Sequence, residues 1–180
     1  VLGPIEPLLI LPEVLDPKAW LGGKVPFVDK DTTAMSMLGA VQLQIVYNTS
    51  LVKEGEITSY KDLLKPQYKG KIVLNDPQVT GGSNAILTHI SQNLWSEAET
   101  ADFLKRLLKD QEAVVQRDHR LHVEWLARGK YAIGIAPLRE AVAEFAGLGA
   151  PIKFAPRLKE ENHITPSTGT LAVPSKFAHP

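Results

Sequence analysis

Three times between Lys71 and Gly149 a short apolar run is followed by a longer segment whose apolar residues recur at helical spacing. Nothing else in the chain restricts its fold as strongly. The run KIVLN (71–75) leads to Ile86, Leu87, Ile90 and Leu94, which share one helical face. A run around 113–115 leads to Leu121, Trp125 and Leu126, and YAIGIA (131–136) leads to Leu138, Ala141, Val142 and Phe145. Strands alternating with helices predict an α/β architecture, with a mostly parallel sheet flanked by helices and joined by right-handed crossovers.

The residues between these segments agree with that pattern. Ser83 is placed to cap the first helix. Ser96 and Glu99 form an S-x-x-E capping box for another, on which Ala101, Leu104, Leu107 and Leu108 share a face. Asp118 suits the cap of the next helix and Gly129 its end, while Pro137 fits the first turn of the last, which Gly147 and Gly149 stop. Upstream, VQLQIVY (41–47) alternates Val41, Leu43 and Ile45 with Gln42 and Gln44, predicting a strand with one exposed face that turns at Asn48-Thr49-Ser50. Ser59 with Asp62 predicts a short capped helix ended by Pro66, and two further strands are expected around 152–154 and 169–173. Pro4, Pro7, Pro12, Pro17 and Pro26 exclude a regular core helix or central strand from residues 1–33. That stretch reads as extended and packed, since Leu8, Leu9, Ile10, Leu11 and Trp20 need a surface to cover.

Composition narrows the partners. With 20 Lys and Arg against 20 Asp and Glu, the chain has no net field to draw in nucleic acid or an anionic membrane. It has no cysteine, so disulfides, thiol catalysis and cysteine-bound zinc are excluded. No stretch reaches the roughly 20 apolar residues that span a bilayer, and VLGPIEPLLILP lacks the basic start and cleavage site of a signal peptide. The chain is therefore expected to be soluble.

In an open α/β sheet, ligands bind beyond the C-terminal ends of the strands. Three such places are named by the sequence. The first is the loop after KIVLN, with Thr80, Gly81, Gly82, Ser83 and Asn84, where two glycines permit close backbone approach and a helix N-terminus favours an anionic or strongly polar group. The loop has neither the Lys-Ser/Thr of a phosphate loop nor the G-x-G-x-x-G spacing, so no nucleotide is expected. The second is Gln116-Arg117-Asp118 and the third Pro137-Leu138-Arg139. Arg117 and Arg139 each offer a planar fork to a carboxylate or phosphate, against the plainer reading of solvated arginines. Arg120 is expected to pair with Glu124 one turn on.

His119, His122 and Glu124 do not make an H-E-x-x-H pattern, so no metal or cofactor is expected; these histidines and His89, His163 and His179 read as surface residues. No G-x-S-x-G elbow appears, and Asp29, Asp31 and Asp76 read as solvated or turn-forming carboxylates. The chain is not expected to be an enzyme.

The runs IVYNTSLV (45–52), ITSYKDLLKPQYKGKIVLNDP (57–77), TGGSN (80–84) and VEWLARGKYAIGI (123–135) resemble the extracellular solute-binding proteins of ABC importers, in the branch that includes ferric-iron binders. The resemblance implies a type II periplasmic-binding lobe. It implies that residues 1–37 end a first lobe, 38–47 form a crossover strand, 48–167 a second α/β lobe and 168–180 a return crossover. It further implies a small anionic or polar solute, or a metal-anion complex, held against the helix N-terminus at Thr80–Asn84, to which the loop positions of Arg117 and Arg139 are added, with delivery to the membrane subunits of an importer and a periplasmic or extracellular location, lipid anchoring left open. The resemblance places the tyrosine pair that binds iron in the ferric branch beyond the end of this chain, so iron is left open too. Apolar surface left by an absent lobe would favour self-association. The alternative reading is a ligand-sensing effector domain of a transcriptional regulator with the same fold.

Overall fold

The computed structural model describes residues 1–20, 22–36, 39–41, 45–79, 82–160, 164–166 and 169–176. Its strands are β1 (Leu2–Gly3), β2 (Ala34–Ser36), β3 (Gly39–Val41), β4 (Ile45–Asn48), β5 (Ile72–Asn75), β6 (Val114–Gln116), β7 (Ile133–Ile135), β8 (Ile152–Phe154), β9 (Ile164–Pro166) and β10 (Thr170–Pro174). The α-helices are α1 (Pro12–Leu15), α2 (Gly82–His89), α3 (Glu97–Lys109), α4 (His119–Ala127) and α5 (Arg139–Gly147). Two compact units result: Val1–Gln42 with His163–Pro180, and Leu43–Asn162.

In the first unit, β10 pairs antiparallel with β1 and β2, and β3 pairs antiparallel with β9. Prolines break the stretch between β1 and β2 into single turns, as expected from their missing N–H groups. The apolar residues there are less covered than their number suggests. Ile5 and Met35 are buried, but Leu8 and Leu11 are about half exposed and Ile10 is 86% exposed.

The second unit is built on a five-stranded sheet of order β6-β5-β7-β4-β8, in which β5 runs parallel to β6 and β7, while β4 is antiparallel to both β7 and β8. Four strands therefore share one direction and β4 opposes them. Side chains that alternate along each strand feed two separate cores. Ile45, Tyr47, Ile72, Leu74, Ile133 and Ile135 pack with Ile86 and Ile90 after β5 and with Phe103 and Leu107 of α3. Val46 and Val73 pack with Val123 and Leu126 of α4 and with Ala141 and Val142 of α5. The sheet is thus covered on both faces, which is why Ile45–Tyr47, Ile72–Leu74 and Ile133–Ile135 of its inner strands are buried, whereas the edge strands β6 and β8 carry Gln116 and Lys153.

Several expectations are corrected in detail. The strand expected over 41–47 is two strands in different units, and Gln42, Leu43 and Gln44 lie outside the described residues. β4 is buried along its whole length and has no exposed face. The segment after Ser59 has the expected capping box with Asp62 but is a five-residue 3-10 turn. α3 keeps its Ser96–Glu99 box, yet buries Thr100, Phe103 and Leu107, a face rotated from the expected one. The Thr100 hydroxyl makes this possible by donating to the Ser96 carbonyl at 3.0 Å. α4 buries His122, Val123 and Leu126, while Leu121 and Trp125 are only partly covered, and α5 begins at Arg139, two residues after Pro137. Arg120 passes over Glu124 and makes a two-pronged pair with Glu144 of α5, both bonds 2.9 Å; Glu124 pairs with Arg128 instead.

The expected Asn48 turn forms. Buried Asn48 donates from Nδ2 to the Leu126 carbonyl at 2.8 Å and accepts the Ser50 N–H at 2.9 Å, tying the end of β4 to the end of α4. Asn48→Ala should cost about 1–3 kcal/mol, because the hydrogen bonds to the Leu126 carbonyl and from the Ser50 N–H are lost together. Urea denaturation would show this as a lower midpoint at constant slope.

Candidate functional site

Because β5, β6 and β7 are adjacent and parallel, their C-terminal ends open on one edge. The residues following them, from Asp76, Arg117 and Ala136 onward, lead into α2, α4 and α5. The three places picked out by sequence therefore share an edge, but their side chains do not all converge.

The exits of β5 and β6 are laced together. The Asp76 N–H donates to the Gln116 carbonyl at 3.2 Å, and Asn75 Nδ2 reaches the same carbonyl at 3.3 Å and approaches His119 Nδ1 at 3.3 Å. Gln116 Oε1 accepts the Asp118 N–H, and Asp118 Oδ1 caps α4 by accepting the Leu121 N–H, each at 2.9 Å. Arg117 then turns back over β5, its Nε 2.6 Å from Asp76 Oδ2. Asp76 is not a solvated loop carboxylate. Its side chain is 6% exposed, its Oδ1 accepts the Gln78 N–H at 2.9 Å, and that bond and then the Arg117 guanidinium hold its carboxyl below the usual range.

At the exit of β7, Ala136 has a φ of +55°, a conformation that costs an L-residue about 1–2 kcal/mol. It lies directly against the start of α2: a Cβ on Gly82 would sit 2.9 Å from the Ala136 Cβ. Gly82 is thus a packing glycine. Ser83 is the second residue of α2 and not its cap; it is buried, and its hydroxyl has no hydrogen-bond partner among the described residues. Asn84 is exposed and donates to the Pro77 carbonyl at 3.3 Å. Thr80 and Gly81 lie outside the described residues.

Arg139 is placed elsewhere. Its guanidinium lies 5.2 Å from the ring centre of Phe154 on β8. β8 is four strand spacings from β6, about 19 Å. Arg117 and Arg139 therefore mark opposite ends of the edge.

The histidines do not assemble into a site either. His122 is fully buried under α4, contrary to expectation, and His119 faces Asn75; no cluster of three or more metal-ligating side chains occurs among the described residues. His163 and His179 lie outside them. A groove of about 710 Å³ runs between the 60–66 segment and α3, past Trp95 and Phe103. It lies on the helical flank and not at the strand ends, so the edge is the better candidate. Sequence reasoning missed Asp76 and Ala136. An Asp followed by Pro signals a turn, which Asp76 makes, but nothing in the linear chain shows that an arginine 41 residues later returns to it.

A family model described as bacterial extracellular solute-binding protein matches residues 22–138. No curated protein sequence matches significantly. Among solved structures, iron-bound HitA from Pseudomonas aeruginosa is similar at a TM-score of 0.69 and 16% identity, over 100% of this chain and 54% of that one. A two-component system protein mediating signal transduction is similar at 0.64 and 22%, over 86% and 49%. AfuA from Actinobacillus pleuropneumoniae, with fructose-6-phosphate bound, is similar at 0.61 and 22%, over 87% and 50%. At these identities the likeness concerns the fold, and the chain spans about half the length of each structure.

Proposed function

Since the chain belongs to the bacterial extracellular solute-binding proteins, a family that binds and carries solutes and is not one of enzymes, we propose that it contributes a ligand-holding lobe to the carrier of an ABC importer. The lobe is the unit Leu43–Asn162, and its ligand lies at the shared edge of β5, β6 and β7. The location is periplasmic or extracellular, and the receiving partner is the membrane component of the importer.

The solute class is a small oxyanion-bearing molecule. The observation that carries this is Arg117, whose guanidinium stands at the strand edge next to the first turn after β5, with 73% of its side chain exposed. A guanidinium and the N-terminus of α2 both donate hydrogen bonds, which suits a phosphate or carboxylate and opposes a bare cation. Of the ligands in the similar structures, the phosphate ester bound by AfuA fits these donors better than the iron bound by HitA. Arg139, beside Phe154, serves only a ligand long enough to reach along the edge.

Calorimetric titration of the chain with fructose 6-phosphate and with inorganic phosphate tests this. Arg117→Ala should weaken binding about tenfold or more, the size expected for a charge-assisted hydrogen bond. Equal affinity of wild type and variant would remove Arg117 from the site, and no binding of either probe to wild type would overturn the oxyanion class.

A further inference from the structure

We infer that Asp76 is a positioning residue for the ligand site, holding Arg117 by its Nε so that the outer edge of the guanidinium is presented as a ready fork to two oxygens of a solute carboxylate or phosphate. This rests on the functional reading above and deepens it.

Both oxygens of Asp76 are engaged: Oδ1 accepts the Gln78 N–H at 2.9 Å and Oδ2 takes Arg117 Nε at 2.6 Å. The carboxylate cannot rotate without losing one of them. Its backbone is fixed as well, since the Asp76 N–H bonds the Gln116 carbonyl one residue before Arg117. A buried, doubly anchored acceptor thus meets an exposed donor, and only one of the donor's five N–H groups is used. Neither terminal nitrogen of Arg117 bonds a described residue, so the Nη1–Nη2 edge is left for a ligand.

An exposed arginine samples many rotamers, and ordering it on binding costs affinity. Anchoring Nε in the empty protein moves that ordering from the binding step to folding. The pair also sets selectivity. Asp76 neutralises most of the distant field of Arg117, so the site recognises the planar two-oxygen edge of a solute more than its total charge. An ordinary surface ion pair would have neither property, because both partners would be solvated and mobile.

The test is a thermodynamic cycle by calorimetry with fructose 6-phosphate and inorganic phosphate as probes, on wild type, Asp76→Asn, Arg117→Ala and the double variant. Asp76→Asn keeps an acceptor for the Gln78 N–H and should weaken binding about five- to tenfold. In the Arg117→Ala background the same change should have no further effect, because Asp76 acts through Arg117. A purely structural role for Asp76 would weaken binding by the same factor in both backgrounds, and that result would overturn the inference, as would an Asp76→Asn variant that binds like wild type. Should the Asn variant fail to fold, Arg117→Lys keeps the charge but removes both the Nε anchor and the fork; it should bind as weakly as Arg117→Ala, and wild-type affinity would again refute the positioning role. Failure of wild type to bind either probe sinks the oxyanion reading itself, whereas an Arg117-dependent affinity indifferent to Asp76 sinks only the inference.

Discussion

Gly134→Ala should destabilise the protein by about 3 kcal/mol, at the upper end of the cost of overpacking a filled core, and so lower the urea midpoint of unfolding sharply. Gly134 is the middle residue of β7, on the face toward α4. A Cβ built there would lie 2.4 Å from Leu126 Cδ1 and 2.9 Å from His122 Nε2. Both neighbours are completely buried, so neither can swing into solvent to make room. Larger residues should prevent the unit from folding. The cause can be isolated with Leu126→Ala, which opens a cavity in wild type but relieves the clash in Gly134→Ala. The double variant should therefore be far more stable than the sum of the two losses. A neutral Gly134→Ala, or strictly additive losses, would show that α4 can move away from the sheet.

The second large effect concerns acid stability. Burial first, and the neighbouring charge of His119 second, push His122 down from 6.5 to about 4, and neither ring nitrogen has a hydrogen-bond partner among the described residues. A base whose pKa is lowered by folding is neutral in the folded protein, while the unfolded chain takes up a proton near pH 6.5. The stabilisation is therefore complete above pH 6.5 and is lost as the pH falls toward 4. The loss is on the order of 3 kcal/mol. His122→Leu should flatten the fall in stability between pH 7 and pH 4.5 relative to wild type, measured by urea denaturation across that range. Parallel curves for the two proteins would show that the imidazole does not titrate with unfolding.

Much of the second unit is legible in the sequence because its signals are local. The capping pairs Ser59–Asp62 and Ser96–Glu99, the Asp118 cap and the turn at Asn48 depend on neighbours a few residues apart, and each forms. What the sequence hides is set by distant partners. α4 presents His122 to the sheet because Gly134, on another strand, leaves room for it, and no periodicity of apolar residues marks a histidine as core. α3 buries Thr100 because its hydroxyl is satisfied within the helix. At the candidate site, the order of the loops follows from strand alternation, but the pairing of Arg117 with Asp76 and the distance of Arg139 from both follow from strand order. Alternation alone does not reveal that β4 lies between β7 and β8 or that it runs against them.

That placement of β4 bears on how the protein comes to be folded as it is made. β4 is the first strand of its sheet in sequence, yet its neighbours are the last two: Val46 stands opposite Gly134 on one side and Phe154 on the other. Closing loops of that length is entropically slow. As the chain emerges from its N-terminal side, β5, β6 and their helices can assemble while β4 waits with both backbone edges unpaired, and the sheet is completed only after Phe154 has emerged. Until β7 and β8 arrive, the emerging unit thus carries an open strand led by apolar Ile45 and Val46, and that interval is the one in which a chaperone would matter most.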